Sequence, residues 1–176
     1  MGRQLSVADF DAIYDTFEVS VWRWESQPVY DEPDEREPFE RWRAGGQDDL
    51  SWLQGWLDLV RSATAAGREF RRVRRVTDTP SDYQRWLATA VRANIEAGEE
   101  VRTLREDQVP KLGLPSYDFL LVDNRSVAKM QFDDGRFLGA TLHEDTGTVD
   151  RHRAWLAAAW QHASPIDAIR GVRERR

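Results

Sequence analysis

Residues 70–104 constrain the fold more than any other stretch, because they read as strand, helix and strand in immediate succession. Phe70 to Val76 is a strand rich in arginine. Thr79-Pro80-Ser81-Asp82 reads as a helix start, with a capping threonine, proline at the first helical position and an acid at the third. The helix over 81–97 carries Tyr83, Trp86, Leu87, Ala90 and Val91, and Gly98 is placed to end it. Glu100 to Leu104 is the second strand. Such a β-α-β unit favours parallel pairing through a right-handed crossover.

The rest of the chain supplies more of both element types. Ser6 caps a helix over 7–16, with Phe10, Ile13, Tyr14 and Phe17 on one side. Phe17 to Glu25 alternates Phe17, Val19 and Val21 with Glu18, Ser20 and Trp22, which predicts a half-buried strand. Residues 31–40 are acidic and broken by Pro33 and Pro38, which predicts a surface loop, with a short turn of helix over 39–43 ended by Gly45-Gly46. Asp48 or Asp49 caps a longer helix that runs to Gly67, striped by Leu50, Leu53, Leu57, Val60 and Thr64. The run Asp118-Phe-Leu-Leu-Val-Asp123 is too apolar for a surface strand and belongs in the middle of a sheet. Two turn signals, Asp123-Asn124 and Asp133-Asp134-Gly135, make it the first strand of an antiparallel meander that continues over 127–132 and 136–143. A helix over 149–163 follows, and Ser164-Pro165 repeats the cap-plus-proline signal for a last helix and a frayed tail to Arg176. The expected class is α/β (α+β): a single domain, with a mixed sheet that joins a β-α-β unit to an antiparallel meander.

Composition narrows the function classes. At 176 residues the chain has room for one compact domain. With 25 basic and 31 acidic residues its formal net charge is −6, which argues against charge-driven binding to nucleic acid or an anionic membrane. Without cysteine there is no thiolate nucleophile and no sulfur-based metal site. His143, His152 and His162 lack metal-ligand spacing, so neither metal nor cofactor is expected. The N-terminus has no apolar leader, so a cytoplasmic location is expected. No nucleophile elbow, Walker loop or dinucleotide fingerprint occurs, and no motif forces a reaction.

The candidate site residues come from strands and their ends. Arg72 and Arg74 share one face of the arginine strand, while Arg71 and Arg75 share the other. Either pair can clamp an anion through bidentate contacts, or serve as surface charge paired with local carboxylates such as those of 31–40. Glu25, Asp118 and Asp123 stand at strand ends, where a general acid or base would act. The other expectations are a turn-forming role for Asp123 and a buried Asp–Arg pair for Asp118. Trp22 and Trp24 lie on one strand face. Either that strand is covered on both faces or the two rings form an exposed partner surface.

Three segments carry a family likeness: Gly67–Tyr83, Asn94–Leu104 and Tyr117–Asp123, together with Trp22-Arg23-Trp24-Glu25. They resemble an actinobacterial family of unassigned function whose genes often lie beside helix-turn-helix regulators, and the resemblance runs from about Phe10 to Ala163. It implies a helix-turn-helix protein as partner. The order of strand, helix, Gly98-x-x-Val101-Arg102 and an apolar strand closing on Asp123 is similar to half of a phospholipase D fold. That superfamily carries His-x-Lys-x-x-x-x-Asp on the last strand. Aligning Asp123 with the motif aspartate puts Ser116 at the histidine position and Asp118 at the lysine position. With nucleophile and phosphate-binding cation both replaced, the resemblance implies a phospholipase-D-like half without the phosphodiesterase reaction. The first expectation is therefore a non-catalytic regulatory or interaction domain acting with a helix-turn-helix regulator. An enzyme that acts on a phosphorylated or anionic small molecule is the second. Direct nucleic-acid binding through Arg68–Arg75 and Arg170–Arg176 is the third.

Overall fold

The structure, a computed structural model, describes residues 2–166. Eight strands form one mixed sheet: β1 (Arg3–Leu5), β2 (Ser20–Glu25), β3 (Glu69–Val76), β4 (Glu100–Arg105), β5 (Phe119–Val122), β6 (Ser126–Asp133), β7 (Arg136–His143) and β8 (Ser164–Pro165). Their spatial order is β1-β7-β6-β5-β2-β3-β4-β8. β2, β3 and β4 pair in parallel, and every other neighbouring pair is antiparallel. The β-α-β unit is thus β3, α4 (Asp82–Ala97) and β4, and β5, β6 and β7 form the meander. The chain is a single α+β domain.

Helices cover both faces of the sheet. On one face α1 (Val7–Thr16), α3 (Gln54–Ala65) and α4 press Phe10, Leu57, Val60 and Ala90 against Val21, Phe70, Leu120 and Met130. α2 (Pro33–Arg43) packs on α4 through Phe39 and Trp42, beside Tyr83 and Trp86. On the other face α5 (Thr146–His162) buries Val149, Leu156 and Ala159 against Trp24, Val73, Phe119 and Val127. All four residues of β5 are therefore buried, as its composition requires of a central strand.

Several local expectations need correction. The acidic stretch 31–40 is mostly helix. Pro33 fills the first position of α2, where its missing N–H is harmless, and the helix continues through Pro38. Phe39 against Tyr83 and Trp86, at ring distances of 5.6 and 5.4 Å, supplies the packing that offsets the ladder bond lost at Pro38. α4 starts two residues later than its Thr-Pro signal, because Ser81 and not Thr79 caps it: Ser81 Oγ accepts from the Gln84 N–H, and Gln84 completes a capping box. Asp48 and Asp49 accept from the N–H groups of Leu50 and Ser51, ahead of a 3-10 turn over Ser51–Leu53, so α3 itself begins at Gln54. The strand expected from Phe17 begins at Ser20, which leaves Val19 exposed. Ser164-Pro165 is not a helix start. It forms the two-residue edge strand β8 beside β4, where proline's missing donor is tolerated. The rest of the expected last helix and the Arg170–Arg176 tail lie outside the described residues. Edge strand β1 carries no sequence signal of its own.

The glycines expected to stop helices, Gly45-Gly46, Gly67 and Gly98, each follow a helix end. Gly98 shows why the residue must be glycine: its φ is +112°, and a Cβ there would meet Thr64 Oγ1 at 2.7 Å.

Asp123 is the turn residue expected of it, with φ of +52° beside Asn124 at +54°. Its carboxylate does more than form a turn. It accepts from the N–H groups of Glu18, Val19 and Ser20 at 3.0, 2.7 and 2.9 Å, and so fixes where the chain leaves α1 and enters β2. Partial burial works to raise the Asp123 carboxyl, but those three N–H groups bring it below its ordinary value. Asp123→Ala removes the acceptor and places an ordinary side chain in left-handed backbone, at a total cost of about 2–3 kcal/mol, whereas Asp123→Asn keeps an acceptor and tolerates the backbone. Urea denaturation of both variants tests this: equal loss in the two would show that the clamp contributes nothing.

Candidate ligand-binding site

Parallel register builds the site. Arg23 of β2 lies beside Arg72 of β3, and Glu25 beside Arg74. Strand alternation puts all four on the face covered by α1, α3 and α4. Glu25 is only 1% exposed, and three guanidiniums surround its carboxylate. Arg72 Nη1 donates to Oε1 at 2.8 Å, Arg74 Nε donates to Oε2, and Arg23 Nε lies 3.3 Å from Oε1. Burial disfavours the ionised form, yet Arg74, Arg72 and Arg23 hold the Glu25 carboxyl well below the usual range. Arg72 Nε also donates to buried Glu99 at 2.7 Å.

These strand residues floor a cavity of about 420 Å³. Tyr14, Trp52 and Trp56 wall it, Leu87 and Asn94 of α4 line its side, and Tyr30 closes one flank. Asp11 of α1, Glu32 just before α2, and Asp34 and Glu35 within α2 stand around it. Tyr83 OH donates to Glu35 Oε2 at 2.5 Å. Burial pushes the Glu35 carboxyl up against the opposing pull of that bond and of Arg74, and burial likewise pushes up Glu32. Some polar groups of this region are left over. Arg74 spends only Nε within the protein, so among the described residues both its Nη atoms lack an acceptor. Asn94 Oδ1 is buried without a hydrogen-bond partner.

The structure brings Glu25, Arg72 and Arg74 together as a unit. Asp118 joins them indirectly, and among the described residues no arginine pairs with it by a hydrogen bond. Its carboxylate, on a residue 1% exposed, accepts from Ser26 N and Oγ at 2.8 and 2.7 Å and from Tyr30 OH at 2.6 Å. Burial pushes Asp118 above its ordinary value, with Arg23 opposing. It therefore holds Tyr30, which faces the cavity. Asp123 is bound to the α1–β2 connection at the other end of β5. Trp22 and Trp24 form no exposed pair, because β2 is an inner strand covered on both faces. Trp24 is 0% exposed and donates Nε1–H to Pro115 O, and Trp22 is covered by Trp160 and the Arg71 guanidinium. The acidic 31–40 stretch lies beside the arginines, as one expectation had it, but the direct partners of Arg72 and Arg74 are Glu25 and Glu99.

Sequence reasoning missed Arg23, Glu35, Asn94 and the tryptophan walls. The only signal available was the i, i+2 pairing of Arg23 with Glu25 on a strand. Of the histidines, His152 is buried between Tyr117 OH and Thr148 O at 3.0 and 2.7 Å, and burial lowers its pKa. No group of three or more metal-ligating side chains comes together among the described residues. Within the same residues no helix is long and apolar enough to cross a membrane.

These features define a single-domain α+β protein with a charged, aromatic-walled cavity over its parallel strands. The chain belongs to the family described as Domain of unknown function (DUF6879), which matches residues 8–170. Among curated proteins the sequence has no match.

Glu25→Gln leaves the guanidiniums without their central anion and should destabilise the fold by about 3–5 kcal/mol in chemical denaturation; a loss below about 1 kcal/mol would refute the central role of that carboxylate. A pH profile tests the other carboxyls. Glu32, Glu35 and Asp118 titrate above their unfolded values, so the folded state binds the extra protons first. These three groups raise the unfolding free energy as pH falls from 7 toward about 4.3, while His143 and His152, lowered chiefly by burial, act in the opposite direction below about pH 6.5. Below that the unfolded chain takes up protons while Glu25 and Asp123 remain ionised in the fold, so stability falls. Glu35→Gln should remove part of the carboxyl contribution, so that its stability relative to the native protein falls as pH drops from 7 toward about 4.3; a difference that does not change with pH would contradict a raised Glu35.

Proposed function

We propose that this chain is a non-catalytic regulatory domain that binds a small organic anion in the β2–β3 cavity and passes the bound state to a helix-turn-helix regulator. One observation carries the ligand half of this reading: guanidinium nitrogens of buried Arg74 are left unmatched in an aromatic-walled cavity of about 420 Å³. That volume lies in the range of small-molecule sites, and a guanidinium with free N–H donors suits a carboxylate or phosphate. The regulatory half rests on the sequence resemblance to a family encoded beside such regulators. The likeness to half of a phospholipase D fold belongs to the same proposal. Asp118, at its lysine position, is spent on Ser26 and Tyr30, which agrees with a binding role and not a phosphodiesterase one. A second reading, an enzyme acting on an anionic small molecule, is favoured by one feature: the Glu35 carboxyl, raised by burial and bonded to Tyr83, stands at the cavity as an acid would. Direct nucleic-acid binding draws no such support, since Arg72 and Arg74 turn inward.

Titration with 4-methylbenzoate and with inorganic phosphate, followed by intrinsic tryptophan fluorescence, to which Trp52 and Trp56 of the cavity contribute, tests the proposal. Saturable binding that weakens at least about tenfold in Arg74→Gln is expected, as loss of a charge-assisted hydrogen bond implies. Absence of saturation with either anion, in protein whose thermal unfolding is intact, would refute it.

A further inference from the structure

The cavity is electrically two-sided. Its floor, on the strands, carries the guanidiniums of Arg23, Arg72 and Arg74. Glu25 offsets one of these charges and Glu99, behind Arg72, a second, so one positive charge is left over. The opposite boundary, on α1, α2 and the residue before α2, carries Asp11, Glu32, Asp34 and Glu35. Among the described residues none of these four carboxylates has an ion-pair partner, and Glu35 has only the Tyr83 hydroxyl. Four like charges crowded around one opening repel each other, and burial sharpens this for Glu32 and Glu35.

A ligand that was only an anion would meet the floor well but would have to lie under that acidic boundary. A ligand that was only a cation would relieve the boundary and leave the Arg74 Nη atoms unmatched. Tyr14, Trp52 and Trp56 line the same cavity.

Resting on the reading of this cavity as a small-molecule site, we propose that its ligand is dipolar: an anionic group seats on the Arg72–Arg74 floor, a flat apolar middle lies against Trp52 and Trp56, and a cationic group faces the carboxylates of α1 and α2. Complementary charge at both ends selects against molecules with only one of the two groups.

A matched set of probes separates this inference from the reading beneath it. 4-(Aminomethyl)benzoate carries both charges across one ring, 4-methylbenzoate only the anion, and 4-methylbenzylamine only the cation. Calorimetric titration should show 4-(aminomethyl)benzoate binding about tenfold or more tighter than either of the others. Glu35→Gln, checked to remain folded and to unfold cooperatively, should abolish most of that advantage and leave 4-methylbenzoate affinity unchanged or improved. Equal or tighter binding of 4-methylbenzoate by the native protein would overturn the dipolar ligand while the anion site stood. Equal or tighter binding of 4-methylbenzylamine would overturn both, as would failure of all three probes to bind.

Discussion

The buried carboxylate of Glu25 holds the centre of this molecule. Removing an ion from water costs several kcal/mol, and the cost is recovered only where geometry is good and the remaining polar atoms are matched. Here the parallel register of β2 and β3 supplies the geometry by placing Arg23 beside Arg72 and Glu25 beside Arg74. Glu25 lets three arginines occupy a sheet face that is otherwise built from Val21, Phe70 and Leu120. Register, charge and cavity are therefore one arrangement: a one-residue slip of β3 would turn Arg72 and Arg74 to the α5 side and leave Glu25 alone in the core.

A second tier of polar contacts fixes the approaches to this centre. Asp123 sets where β2 begins, through three backbone N–H groups, and Asp118 sets where it ends, through Ser26 and Tyr30. The two aspartates that bracket β5 thus brace both ends of the neighbouring strand. Asp48 has a similar part on the helical side, where it accepts the indole N–H of both Trp52 and Trp86. It orients one wall of the cavity and one core tryptophan with a single carboxylate.

The sheet and most helices were legible because their signals are local. The all-apolar β5, the glycines after α3 and α4, and the turns at Asp123-Asn124 and Asp134-Gly135 each act within a few residues. Where expectation failed, tertiary contact had overridden a local rule. Pro38 sits inside α2 because Phe39 and Trp42 bury themselves against α4. Ser164-Pro165 forms a strand because β4 offers an open edge. The site was half legible for the same reason. Alternation assigned Arg72 and Arg74 to one face, but the partners of that face come from 47 to 49 residues earlier in the chain and 27 residues later. Nothing local links Arg72 with Glu99, or Tyr83 with Glu35.

Stability alone does not account for the charge on this face. Buried ion clusters can often be replaced by well-packed apolar residues with no loss, and sometimes with a gain. Leucine, valine or phenylalanine at positions 23, 25, 72 and 74 would match the neighbours Val21, Phe70 and Leu120 and would need no counter-ions. The chain instead keeps three guanidiniums and a carboxylate at those positions, leaves Arg74 with unspent donors, and arranges aromatic walls and acidic groups around the space above them. Departures from local rules that bring no folding advantage concentrate where a protein does its work. The β2–β3 face is the part of this fold where such departures accumulate, which is the physical ground for proposing a ligand site there.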